Sequence, residues 1–180
     1  MARPTFAAIR KALVKHDRTT LVALIGELYV LNHQNRDFLD ARFAAGESTL
    51  QRYREIIHEA LYPNVMRSTP VNFRDARKAI SDYRKAKGEP RGLAELFVFA
   101  AECGNRFTCD YGDIDGPFYD SLIRMFESAV KAVSTLESKD AAPFIARLKT
   151  VVTKANGIGW GYYDSIADLF FEAFDTWETE

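Results

Sequence analysis

Apolar residues recur at intervals of three and four along almost the whole chain, and that spacing limits the fold more than any other feature. Phe6, Ile9 and Leu13 form one such set, Leu50, Tyr53, Ile57 and Leu61 another, and Phe73, Ala76, Ile80 and Tyr83 a third. Each set lines one face of an α-helix, and no stretch shows the period-two alternation of a half-buried strand. The punctuation agrees. Pro4, Pro90 and Pro117 stand near helix starts, while Gly46, Gly88 and Gly157 follow helix ends, where a left-handed residue is wanted. The chain is therefore expected to be all-α, with about eight or nine helices.

With 180 residues and 47% hydrophobic content, one sizeable core is expected, in a single compact domain spanning 1–180. Two segments, Leu21 to Leu31 and Leu93 to Cys103, are apolar on nearly every side, which suits helices surrounded by neighbours. They are the expected central helices. The longest apolar run is interrupted by Gly26 and Glu27 and falls short of the roughly 18 residues that span a bilayer. No signal peptide is evident at Met1-Ala2-Arg3-Pro4, so a cytoplasmic protein with no membrane partner is expected, and Cys103 and Cys109 are expected to be reduced. Their spacing fits no zinc site.

The segments Phe118-Tyr119-Asp120-Ser121-Leu122 and Tyr162-Tyr163-Asp164-Ser165-Ile166 match at an offset of 44 positions. At the same offset Phe126 pairs with Phe170, Ala129 with Ala173 and Ile114 with Ile158. The internal repeat covers about 112–130 and 156–174. A period of this size suits two- or three-helix solenoid units, so C-terminal helical hairpins of a solenoid-like kind are expected.

Three segments carry a resemblance: Leu28 to Phe43, Tyr111-Gly112-Asp113-Ile114-Asp115-Gly116-Pro117-Phe118-Tyr119, and Gly157-Ile158-Gly159-Trp160-Gly161-Tyr162-Tyr163-Asp164. The chain, from about residue 20 to 175, resembles a family of small all-helical bacterial proteins that have no assigned activity. The resemblance implies a helical, cytoplasmic, bacterial protein and transfers no catalytic or ligand residues.

Charge is nearly balanced overall, at -1, but unevenly placed. Residues 67–91 hold eight basic and three acidic side chains, whereas 157–180 hold six acids and no Lys or Arg. The basic stretch includes Arg74, Arg77, Lys78, Arg84 and Lys85, a candidate surface for RNA. Its aromatic residues, Phe73 and Tyr83, fall on the stripe expected to be buried, which leaves no stacking platform for bases.

Catalytic and metal patterns fail individually. Asp110, Asp113 and Asp115 before Gly116 look like the start of a calcium loop, but with Asp113 and Asp115 as positions three and five, position twelve is Leu122 instead of Glu. Asp113 and Asp115 remain the candidate metal ligands, beside the simpler reading of an acidic turn that caps a helix. Glu55 and His58 have di-iron spacing, yet neither His16 nor His33 has the Glu of a second copy. Arg52 and His58 are spaced like the Arg and His of helical HEPN-type ribonucleases, in which the Arg would stabilise the phosphate and the His would shuttle a proton. That resemblance covers two residues. Gly157-Ile158-Gly159-Trp160-Gly161 lacks the strand that a dinucleotide fingerprint follows and reads as a joint between helices.

The leading expectation is a non-enzymatic helical protein-interaction module without a cofactor. Its binding residues would be Trp160, Tyr162, Tyr163 and Tyr119, because aromatic side chains on loops supply interface hot spots. The partner would be a protein, a second copy of the chain included. The alternative is a nucleic-acid-directed protein that uses the basic helix of residues 74–87 or the Arg52 and His58 pair.

Overall fold

The structure, a computed structural model, describes residues 5–43, 48–67 and 69–174, and among them every regular element is helical. They fall into two compact units, Met1–Ala44 and Ala45–Glu180.

The first unit contains α1 (Phe6–Leu13), α2 (Arg18–Leu31) and α3 (His33–Phe43). Asp17 starts α2 by accepting from the Thr20 amide at 2.7 Å, satisfying one of the orphan donors of a helix N-terminus. Between α2 and α3, Asn32 accepts from the Asn35 amide at 2.8 Å, and the Asn35 side chain donates back to the Leu28 carbonyl at 2.8 Å. Tyr29 reaches across the hairpin to Asp40 at 3.0 Å. No described residue of this unit is buried, and Val22, Leu24, Ile25, Leu28, Val30 and Leu31 of α2 are all exposed. The expectation that α2 is a central helix is therefore corrected. A unit of this size lacks the neighbours needed to enclose a helix on every side.

The second unit holds α4 (Ser48–Leu61), a 3₁₀ turn (Val65–Arg67), α5 (Phe73–Ala86), α6 (Pro90–Tyr111), α7 (Gly116–Val133), α8 (Ser138–Lys154) and α9 (Tyr162–Phe174). All the described buried side chains belong to it. Its centre is α6, which packs on α4, α5, α7 and α8, as its all-round apolar character predicted. Ala94, Leu96, Val98, Ala100 and Ala101 are wholly enclosed. Two glycines permit that closeness. A Cβ on Gly92 would lie 1.9 Å from the Tyr83 hydroxyl, and one on Gly104 would lie 2.5 Å from a Leu122 methyl.

Helix ends follow the sequence signals. Pro90 and Pro117 occupy first-turn positions of α6 and α7, and Gly88 and Gly157 take positive φ just beyond α5 and α8. Pro4, Gly46 and Trp177 lie outside the described residues. In α9, Ile166, Phe170 and Phe174 face the core while Asp164, Asp168 and Glu172 are exposed. The two matched segments fall on α7 and α9, which pack together, while α6 packs on α8. A charge cluster ties that second pair: Arg147 of α8 donates to Glu95 at 2.5 Å and to Glu102 at 2.7 Å, both on α6.

Candidate functional site

The joint between α8 and α9 brings an aromatic side chain to the surface against the grain of its backbone. Gly157, Trp160 and Gly161 all have positive φ, and Trp160, at 61°, is the only non-glycine residue among those described that does so. A side chain in this region clashes with its own carbonyl, costing about 1–2 kcal/mol. The turn is held by hydrogen bonds from the Ile158 amide to Ala155, from the Tyr162 amide to Gly159 and from the Ser165 amide to Gly161, at 3.0, 3.1 and 3.1 Å. The Trp160 ring lies nearly parallel to Tyr119, with centroids 6.3 Å apart and planes at 20°, and reaches over Gly116. It remains 60% exposed.

Of the four aromatic residues expected to bind a partner, Trp160 is exposed and Tyr163 is half-buried. Tyr119 and Tyr162 are corrected to core residues, at 1% and 0% exposure. Tyr162 points inward because α9 packs on α7 and α8, and its hydroxyl donates to the Asn105 side chain of α6 at 2.9 Å. Burial also pushes its phenol well above the ordinary range. Tyr119 stands beside it, 5.4 Å between centroids, with its hydroxyl 2.6 Å from Thr108 and donating to Asp113 at 3.2 Å. Burial first, and the Asp113 contact after it, raise its pKa. Tyr119 is thus a neutral platform for the exposed indole, and Tyr162 in turn backs Tyr119.

Asp113 and Asp115 serve the neighbouring joint between α6 and α7. Asp115 caps α7, accepting from the Phe118 amide at 2.8 Å, and Asp113 accepts from Tyr119. This is the capping arrangement, and among the described residues no group of three His, Cys, Asp or Glu side chains converges as a metal site would require. Of the two carboxylates that recur in the sequence, Asp164 sits in the first turn of α9, whereas Asp120 lies beyond the first turn of α7 and faces Arg124 at 3.9 Å.

Arg52 and His58 are both exposed on α4. The His58 ring tilts against Tyr62, 5.4 Å between centroids, and the Tyr62 hydroxyl donates to Asp110 at 2.6 Å. A cleft beside α4 is lined instead by Gln51 and Arg54, with Glu89, Arg91 and Glu95 opposite. Its charges are already paired, Arg54 with Glu95 at 3.5 Å, Arg91 with Asp140 at 2.6 Å and Glu89 with Lys87 at 3.3 Å. Neither thiol is activated: burial lifts Cys103 to about 12 and raises Cys109, so each stays protonated at neutral pH.

The basic helix is α5, and all five of its candidate residues, Arg74, Arg77, Lys78, Arg84 and Lys85, are exposed. They do not act as one strip. Lys78 and Lys85 are both turned to Asp82, at 2.6 and 3.8 Å. Arg77 and Arg84 instead line a cleft of about 600 Å³ between α5 and α7, whose far wall carries Ser121, Arg124 and Ser128. Sequence reading missed Arg124, which stands 40 residues beyond Arg84; only packing against α6 brings the two helices alongside a common floor. Its one advance signal is a polar stripe at three- and four-residue spacing on α7, formed by Ser121, Arg124 and Ser128.

Neither a protein-family model nor a curated protein nor a solved structure matches this chain.

Proposed function

We propose that the chain is a non-enzymatic protein-interaction module that presents the Trp160 turn to a protein partner. One observation carries this reading: a large aromatic side chain is left mostly in water on a backbone conformation that disfavours it, stacked on the buried Tyr119. Non-glycine residues in strained conformations concentrate at functional sites, and tryptophan is among the residues that dominate interface energetics. Ile114, exposed in the adjoining α6–α7 joint, would extend the apolar contact. The support from Tyr119 and Tyr162 keeps the indole in one place before a partner arrives, which reduces the ordering cost of binding.

The test compares wild type with Trp160→Gly and a distant surface control, Lys139→Ala, in photo-crosslinking from position 163 in cells. The expected result is a crosslinked partner lost only in Trp160→Gly, with circular dichroism unchanged. Equal crosslinking by all three proteins removes Trp160 from the function.

A further inference from the structure

The cleft between α5 and α7 has a composition that its neighbours do not share. Three arginines, Arg77, Arg84 and Arg124, reach it from two helices, and no carboxylate lines it. Among the described residues Arg77 and Arg84 make no ion pair; their guanidinium carbons lie over Phe73 and Phe97, 6.0 and 5.8 Å from the ring centres. Arg124 faces the exposed Asp120 carboxylate at 3.9 Å and donates from Nε to the Asp120 carbonyl at 3.1 Å. Three like charges converging on one opening repel one another and are relieved by an anion. Between them the floor is apolar, made of buried Ile80 and Met125 with half-buried Phe97.

We propose that this cleft binds a small organic phosphate, the phosphoryl group held by Arg77, Arg84 and Arg124 and a flat apolar body laid on Phe97 and Met125. Guanidinium groups suit phosphate because their planar forks donate two parallel hydrogen bonds to its oxygens. A volume of about 600 Å³ lies within the roughly 300–1,000 Å³ of small-ligand sites, which likewise combine apolar walls with a few polar anchors. A polymer fits less well. The basic surface does not continue along α5, since Lys78 and Lys85 are engaged by Asp82, and a nucleic-acid strand needs an extended track of charge with stacking platforms. The site is separate from the Trp160 turn and independent of its role.

Titration calorimetry at low salt with phenyl phosphate, phenol and inorganic phosphate tests the two halves of the site separately. Phenyl phosphate is expected to bind at least ten-fold more tightly than inorganic phosphate, and phenol not at all. Arg84→Gln and Arg124→Gln, both exposed and thus neutral for the core, are each expected to weaken phenyl phosphate about ten-fold or more, as loss of a charge-assisted hydrogen bond does. Trp160→Gly should leave binding unchanged. The proposal is overturned by the absence of binding at millimolar phenyl phosphate, by equal affinity for the two phosphates, or by arginine variants that bind like wild type. It is equally overturned by a 12-mer single-stranded RNA that binds, weakens with salt and is not displaced by phenyl phosphate.

Discussion

The joints before α7 and before α9 occupy matching positions in the 44-residue sequence match, yet they are built on opposite terms. Asp115-Gly116-Pro117 aligns with Gly159-Trp160-Gly161. In the first, a carboxylate closes the helix start by accepting the Phe118 amide, and proline follows at a position where no amide is missed. In the second, the Gly159 carbonyl accepts the corresponding Tyr162 amide at 3.1 Å, so no side chain is needed for capping. Glycine's freedom then lets the chain turn tightly enough to place Trp160 outside, stacked across the first joint over Tyr119 and Gly116. The lesson is that one joint spends its side chains on closing itself, while the other closes with backbone alone and releases an aromatic group for contact.

The strongest way to break this comparison is Tyr119→Ala. It removes a buried ring that touches Phe118, Tyr162 and Trp160, and a loss of about 3–5 kcal/mol is expected, as for other large core aromatics. Urea unfolding should show a lower midpoint with an unchanged slope. Trp160 fluorescence should shift as its platform disappears.

Asp115→Ala should cost about 1 kcal/mol, the usual worth of an N-cap, whereas Gly159→Ala leaves capping to the backbone and should disturb it less. Equal costs in denaturant melts would refute the claim that only the first joint depends on a side-chain cap.

At the indole the usual order of substitutions should reverse. Trp160→Ala loses the stack and keeps the left-handed backbone, while Trp160→Gly loses the stack and relieves the backbone. The glycine variant should be the more stable by about 1 kcal/mol. If alanine proves the better residue, the turn is not strained.

The smallest effect concerns pH at the end of α6. Asp110 titrates below its ordinary 3.8, chiefly because Tyr62 and then Arg106 bond its ionised form. Its folded-state pKa is depressed, so its contribution is present above 3.8 and is lost as pH falls through the lower folded value. Tyr62→Phe should move the midpoint of the Asp110 carboxyl titration, followed by NMR, to higher pH. A titration curve identical to wild type would show that the hydroxyl is not the cause.

Much of this architecture was legible because helix faces and helix ends are local matters. The stripe Phe73, Ala76, Ile80 and Tyr83 is buried as its spacing implied, and Pro90, Pro117 and Gly88 mark ends where their backbone chemistry is wanted. The candidate sites were less legible. Tyr119 and Tyr162 look like Trp160 in the sequence, since aromatic side chains at a loop–helix boundary serve a core and an interface equally well. Which side each ring takes depends on whether α6 stands beneath it.

The same limit separates α2 from α6. Both are apolar on nearly every side, and that property belongs to the sequence alone, as do the helical periodicity, the 44-residue match and the concentration of basic charge on α5. Only the tertiary structure decided that α6 gathers four neighbours while no described residue of α2 is buried, and that Arg77 and Arg84 meet Arg124 across a shared floor. The physical reason is range: hydrogen bonding and periodicity act within a few residues, whereas burial and the meeting of distant charges depend on which helices pack side by side.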